Sequence, residues 1–483
     1  MSVLFGVLNI ARNALAANQR ALAVTAQNIA NVNTRGYARQ EVIFGSSATV
    51  AGEVPTDHQG PLGMGVLIND IRRAGGSMNT VLEERIAAGE SNLGRLNARN
   101  EVSGKLESIL NDASATGLNR VISNFFNAVQ DVINDPNNIP ARKVLLERAR
   151  TLSERFVTAD AQIQQVSADT DTEVGQLVRE VNDQIKQIAD FNNLIATATS
   201  SGLDTNELRN QRRLVMNDLA EKIGFKAVED PLNLGKVTIT IDTVSGSVPI
   251  VLVNSGNSQN LSSTRDLTIS DITTGVLNGR LGGLANMRDV IIPALNSDLD
   301  QLASTFITNV NTRHAAGFDL LGETGVNFFS GTSADTMGVV ISDPDAVAAS
   351  SLLAPAPDPQ NPAIILPGLP GNNQVMRDIA VLQNTLVINP VDPDGVGAPT
   401  ATLQEFYNSI IAELGAGAQS AQDTLSAENV VQDELVSLKD STSGVSLDNE
   451  LINVTKYQRA FEAAARLVNV ADEMLVTLIG LKR

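Results

Sequence analysis

His58 and His314 are the only imidazoles in this chain and lie far apart in it. A Ser–His–Asp relay or a histidine-based metal centre needs partners that the sequence assigns to neither. His314 follows a helical pattern and reads as a capping or packing residue. Carboxylates are abundant, with 54 Asp and Glu, but no spacing sets two of them in one acid–base pocket. Cysteine is absent, which removes thiolate nucleophiles, disulfides and thiolate zinc ligands. The run D-P-D-G at 392–395 opens like a calcium loop, yet its twelfth position is Leu403 where a bidentate Glu is needed. G-M-G-V at 63–66 lacks the Lys-Ser/Thr that completes a phosphate loop. Arg212 and Arg213 form either a solvated face or an inter-helix ion pair. No catalytic, cofactor-binding or metal site is expected, and the chain does not read as an enzyme.

Composition narrows the class further. A net charge of −19 and a pI near 4.6 disfavour phosphate backbones and anionic lipid, so neither nucleic-acid binding nor membrane insertion is expected. No apolar run reaches the roughly 18 residues of a spanning helix. Arg12 and Arg20 inside the N-terminal apolar pattern do not suit a cleaved leader. The chain is therefore expected either in the cytoplasm or exported with its amphipathic N-terminus intact. Aromatics are 3% of residues, which suggests thin cores such as helix seams.

The elements behave accordingly. Val454, Tyr457, Phe461, Ala464, Val468, Ala471, Leu475 and Leu478 recur at alternating intervals of three and four, the seam of a helix that packs along its length on another. Ser446 can cap its start, and 447–482 would form a rod of about 54 Å. Near the N-terminus Leu4, Leu8, Ala11, Leu15, Leu22, Ile29 and Val32 keep the same spacing, with Asn18 a polar seam position. From Ser77 to about Gly224 the pattern is helical, with Pro136 and Pro140 at a turn and a capping box expected from Asp204 and Glu207. Short strands are expected at 42–44 and 66–71, and a hairpin in which Val237, Ile239 and Ile241 alternate and 248–253 answers. Pro293 predicts a kink or a late helix start. The proline-dense stretch 330–399 reads as a surface-displayed, mobile loop region. Helix returns at 401–440.

The fold class expected is mainly α with a smaller β-rich insertion: a nested hairpin of long coiled-coil-like helices, with N- and C-terminal helices paired and a β-rich, irregular domain at the apex. The terminal helical-pair domain takes 1–75 and 440–483. A helical rod takes 76–224, 284–320 and 400–439, and an outer domain takes 225–283 and 321–399.

Several stretches carry a resemblance. N-I-A-N-V-N-T-R-G-Y-A-R-Q at 28–40 resembles the N-terminal signature of bacterial flagellar axial proteins. Gly63, Gly65, Val66 and Arg73 match their lead into the first long helix, although Gly76 stands where an Asp is usual. N-E-L-R-N-Q-R-R-L at 206–214, Leu281-Gly282-Gly283-Leu284 with Arg288-Asp289, the segment from Leu299 to the pair Phe328-Phe329, and Ser443-Gly444-Val445 with Leu447-Asp448 resemble the flagellar hook-associated protein 1 family. Asn449 and Phe461 replace a common acid and a common Tyr. The resemblance covers nearly the whole chain. It implies a secreted structural subunit at the hook–filament junction of the flagellum, exported by the type III route with a cytoplasmic chaperone. It would assemble as a helical ring between the hook protein and a second hook–filament junction protein. A hook or rod protein, or a secreted helical effector or adhesin, is the alternative.

Overall fold

The computed structural model describes residues 2–34, 36–46, 65–110, 117–230, 234–241, 250–254, 256–260, 278–351, 357–358, 361–365, 371–389 and 398–480. Helix α1 (Ser2–Ala30) is followed by an antiparallel hairpin, β1 (Gln40–Ser46) and β2 (Val66–Arg73). Gly75 and Gly76, at φ +88° and +52°, turn the chain through left-handed backbone into α2 (Gly76–Leu110). Helices α3 (Leu118–Asn134), α4 (Ile139–Ser200) and α5 (Asn206–Lys222) follow. The strands β3 (Lys226–Asp230), β4 (Lys236–Ile241), β5 (Ile250–Asn254) and β6 (Asn257–Ser258) form one antiparallel sheet in chain order. Helix α6 (Gly279–Asn286) runs through a π-helical stretch, Met287–Ile291, into α7 (Ile292–Ala315). Two minor pairs, β7 (Phe329–Ser330) with β8 (Gly338–Val339) and β9 (Pro357–Asp358) with β10 (Asn361–Ile365), precede α8 (Gln374–Val381). Helices α9 (Leu403–Ser443) and α10 (Leu447–Gly480) complete the described chain. The protein is mainly helical with small sheets. No helix among the described residues is long and apolar enough to cross a membrane. The candidate calcium run at 392–395 and most of the proline run at 354–362 lie outside the described residues, as do Arg35, Lys482 and Arg483.

The helices nest. α9 runs back along α2, and contacts along the pair fix an antiparallel register. Ser443 Oγ donates to Asn79 Oδ1 at 3.2 Å near the base, and Gln432 Nε2 donates to the Ile86 carbonyl at 3.1 Å. Leu93 and Leu96 then pack with Ala421 and Leu425. At the far end the Tyr407 hydroxyl donates to the Leu110 carbonyl at 2.6 Å. Outside this pair lie α1 and α10, packed on each other. Along α9 the apolar spacing Leu403, Tyr407, Ile410, Leu414, Ala421, Val431, Leu435 and Leu438 does not stay on the core side: Val431 and Leu438 are exposed, while Leu425 and Gln432 are buried. Met78 is likewise exposed, off the buried line of Leu82, Ile86, Leu93 and Leu96. A strict three-four spacing slips about 20° per heptad against a straight helix, so long stripes change members.

Helix α4, about 93 Å long, carries the main core. Its apolar line from Leu145 to Ile188 is buried. Asn138 Oδ1 caps it by accepting from Ala141 N–H at 3.0 Å, with Pro140 in the first turn, where a missing N–H leaves no carbonyl unpaired. The box expected from Asp204 and Glu207 does not form. The cap is Thr205, which puts Glu207 one position short of the box, and Asp204 instead accepts from Asn206 N–H at 2.9 Å. A reciprocal box forms at Thr402 and Glu405, at 3.2 and 2.9 Å, and opens α9. Pro293 is the second residue of α7, and the π-helical stretch before it takes up the misfit.

Small residues set the crossing of α6 over α2. A Cβ on Gly283 would stand 2.5 Å from the Arg95 carbonyl oxygen and 2.9 Å from Ala98 Cβ. Arg280, from α6, bridges Glu101 on α2 at 2.9 Å and also pairs with Glu173 on α4. The Leu-Gly-Gly-Leu run thus lets one backbone lie directly on another. Of the Arg pair, Arg212 is buried against Asn192 and Glu229, and Arg213 pairs with Glu83 on α2. Both are ion-paired between elements.

The far end of the rod is thicker than a seam. Phe125, Phe126, Phe306, Phe328 and Phe329 gather with centroids 4.9 to 6.1 Å apart, mostly edge to face. Five of the chain's 16 aromatics gather in this one cluster. Residues expected in a mobile loop, among them Met337, Ile341, Val375, Met376 and Leu382, join the same core. The β-rich parts therefore separate. The described residues of 318–351 and 371–388 sit at the far end. Sheet β3–β6 flanks the C-terminal part of α4 near the base, because α4 runs the length of the rod back before α5 begins.

His314 joins two turns at the far end. Its Nδ1 lies 2.6 Å from the Val326 carbonyl, and its Nε2 accepts from Ala348 N–H at 2.8 Å. Burial pushes its pKa down to about 4, against the smaller raising effect of the Val326 carbonyl. The unfolded imidazole titrates near 6.5, so the unfolded chain takes up a proton first as pH falls. This contribution is complete above about pH 6.5 and is lost as pH falls toward 4, up to about 3 kcal/mol. In urea unfolding at stepped pH, the stability gap between wild type and His314→Gln should narrow over that window; a gap constant from pH 7 to 4.5 would refute the assignment.

Candidate functional site

The candidate site is the surface built by the two ends of the chain. Among the described residues no group of His, Asp and Glu side chains could hold a metal ion. What the termini build is a helix pair, with a polar clamp that fixes the β1–β2 hairpin to α1.

The clamp starts at Asn28, in the last turn of α1 and nearly fully buried. Its Nδ2 donates to the Gln40 carbonyl at 3.0 Å, and its Oδ1 accepts from Gln40 N–H at 3.0 Å. The Tyr37 hydroxyl donates to the same Oδ1 at 2.8 Å. One amide side chain thus satisfies the first residue of β1 in both directions and fixes the turn between helix and strand. Burial, then Glu207, Glu450 and Asp204, push the Tyr37 phenol up to about 12, which keeps it a donor. Gly36, at φ +79°, leaves no room for a side chain: a Cβ would stand 2.3 Å from Leu214 Cδ2 on α5. The Asn-rich turn and the α5 motif are therefore in contact, which sequence alone did not join.

Helices α1 and α10 pair antiparallel. Val24 and Thr25 of α1 line one small cleft, about 200 Å³, with Glu450, Asn453 and Tyr457 of α10. Glu450 is buried there, 3.8 Å from Arg39, and the Tyr457 ring lies 6.0 Å from Phe44 of β1. Asn18 turns inward on its own helix and donates to the Ala14 carbonyl at 2.8 Å.

The seam residues divide by burial. Ala11, Ala464 and Ala471 are buried, and Leu8, Leu15, Leu22, Ile29, Val32, Val454, Tyr457, Val468 and Leu475 are half-buried. Phe461 is exposed, and the side chains of Leu4 and Leu478 lie outside the described set. The buried residues of α1 are Ala11, Ala17, Ala21, Val24, Thr25 and Asn28; Ala17, Ala21 and Asn28 each stand one residue before the expected positions Asn18, Leu22 and Ile29. Alanines at the centre let the helix axes approach, and the leucines flank the contact.

Helix α10 is apolar well beyond this strip. Leu447, Leu451 and Val476 are exposed on one flank, and Ile452, Leu467, Val470 and Met474 on the other, at about 100° per residue. An apolar stripe on a helix is normally covered, and these flanks, interspersed with charged residues such as Arg459, Glu462 and Arg466, are exposed in the single chain. These apolar residues are missing from a heptad reading because they fall between its positions.

Comparison with known proteins places the chain. Residues 103–329 match the family model described as the flagellar hook-associated protein FlgK helical domain. Residues 8–37 match that of the flagella basal body rod protein, and 440–481 that of the flagellar basal body rod FlgEFG protein C-terminal. Flagellar hook-associated protein 1 of Bacillus subtilis (strain 168) is 27% identical over 518 residues, covering 99% of each chain. The protein of the same name from Escherichia coli (strain K12) is 23% identical over 557 residues, covering 99% of this chain and 100% of that one. The solved flagellar hook junction protein FlgK from Burkholderia pseudomallei superposes with a TM-score of 0.61 at 15% identity, over 75% of this chain and all of that one, a likeness of fold.

Replacing Asn28 by Ala leaves Gln40 N–H, its carbonyl and the Tyr37 hydroxyl without their partner. Destabilisation of the terminal pair by about 1–3 kcal/mol is expected. Amide exchange of α1 and α10 should quicken while that of α4 holds; unchanged exchange at both termini would dismiss the clamp.

Proposed function

This chain belongs to the flagellar hook-associated protein 1 family, and we propose that it is the structural subunit that joins hook to filament. The single observation that carries this reading is the surface of α10, apolar on both flanks of the strip that packs on α1. Neighbouring copies would cover those flanks and close a helical ring on the hook tip. The half-buried seam residues would border the same contacts. The terminal module, 1–75 with 440–483, would line the inner tube. The rod would take 76–224, 284–320 and 400–439, and 225–283 with 321–399 would face outward. The partners implied are further copies of itself, the hook protein beneath and a second hook–filament junction protein above. A cytoplasmic chaperone would accompany export through the flagellar type III apparatus, with the final location outside the cell.

A pair of helices with a narrow alanine-centred contact is a thin core. The terminal module would be weakly ordered in the free chain and gain order on assembly, when binding to the folded form adds its free energy.

Deleting the gene should leave hooks without filaments in electron micrographs and flagellin shed into the medium. Intact filaments would sink the proposal, and loss of hooks would move the protein to a more proximal position. In the purified chain, Leu451→Glu with Met474→Glu should abolish self-association by sedimentation yet leave the helical circular dichroism unchanged. Association at wild-type concentration would remove α10 from the contact.

A further inference from the structure

Where the terminal module meets the rod, a recess of about 560 Å³ opens between the Asn-rich turn after α1, the α9–α10 junction and α5. Four cations line it, Arg39, Arg73, Arg213 and Lys439, against one lining carboxylate, Asp440. The remaining acids stand behind them. Arg73 and Arg213 share a single carboxylate, Glu83, with Arg73 at 3.0 Å, and Arg39 is held by Glu41 and Glu450. None of the ion pairs among the described residues involves Lys439. Arg39, Arg73 and Arg213 each keep a buried Nε with no hydrogen-bond partner among the described residues. Burial pushes Arg213 down to about 9 and Arg73 to about 10; neighbouring arginines add to this and Glu229 opposes it, while burial and then Arg213 lower Lys439 against the pull of Asp440. Ser446 and Asn449, at the N-terminal end of the 34-residue α10, complete the wall and add the positive end of its dipole.

Resting on the assembly reading above, we propose that this recess receives a carboxylate side chain from a second copy of the chain. The charge balance favours that source. The molecule carries a net −19, so a neighbour presents carboxylates in excess, and here cations outnumber acids on the wall. The recess opens at the N-terminal end of α10, whose next residue after Ser446 is the exposed Leu447. The contact would set angular register between copies where apolar flanks alone allow sliding.

The experiment follows self-association of the full chain by sedimentation at constant ionic strength, with inorganic phosphate replacing chloride, beside thermal unfolding of the monomer. Lys439→Gln is the main variant, because the structure gives the Lys439 side chain no ion pair to lose; Lys439→Arg is its control. Phosphate should occupy the recess, raise the unfolding temperature of the monomer and inhibit association. Lys439→Gln should abolish both phosphate effects and raise the concentration needed for association about tenfold, with Lys439→Arg near wild type. Phosphate that stabilises the monomer but leaves association untouched marks a free-anion site and overturns the proposal. Lys439→Gln that associates like wild type, with phosphate equivalent to chloride, overturns it while leaving the junction reading intact. A wild type monomeric at every concentration overturns both.

Discussion

Three asparagines carry one interaction on which the architecture depends. A helix spends its own backbone hydrogen bonds internally and offers none sideways to an extended segment. Here Asn28, Asn192 and Asn311 each present a side-chain amide as a substitute peptide. Asn28 pairs both ways with Gln40, Asn192 with Val237 at 2.8 and 3.1 Å, and Asn311 with Phe329 at 2.9 and 2.8 Å. Each binds a long helix to an irregular or β segment, at the terminal module, the sheet and the far end respectively. Without them the three extended segments would leave backbone N–H and C=O groups unpaired in partly dry surroundings, where an unsatisfied group is costly.

The helical frame was legible in the chain because its signal is local and repeated. The line from Leu145 to Ile188 is buried as its spacing indicates, and the helix ends marked by Pro136, Pro140 and Ser446 are where the structure has them. The assignment failed where one residue of phase decides the outcome. Asp204 and Glu207 have the letters of a capping box but miss its register by one, and Val431 and Leu438 rotate off the buried line. The position of sheet β3–β6 was hidden for a different reason. Order along the chain gives nesting only if each helix turns back at the same level, and α4 does not.

The candidate surface was half legible. The spacing of Ala464 and Ala471 marked the strip that meets α1, while the flanks that begin at Leu447 and Ile452 carry no periodicity of their own. Polar tertiary contacts such as Gly36 with Leu214, or Arg213 with Glu83, join positions well separated in the chain, and no local pattern encodes them.

The α2–α9 pairing has a temporal consequence. Its contacting partners are separated by 297 to 364 residues, so the loop that must close is most of the molecule. A chain that appears one end first, on a ribosome or elsewhere, therefore holds one helix of each nested pair unmatched until most of its residues have followed. The order in which the pairs can close is set by topology rather than by chemistry.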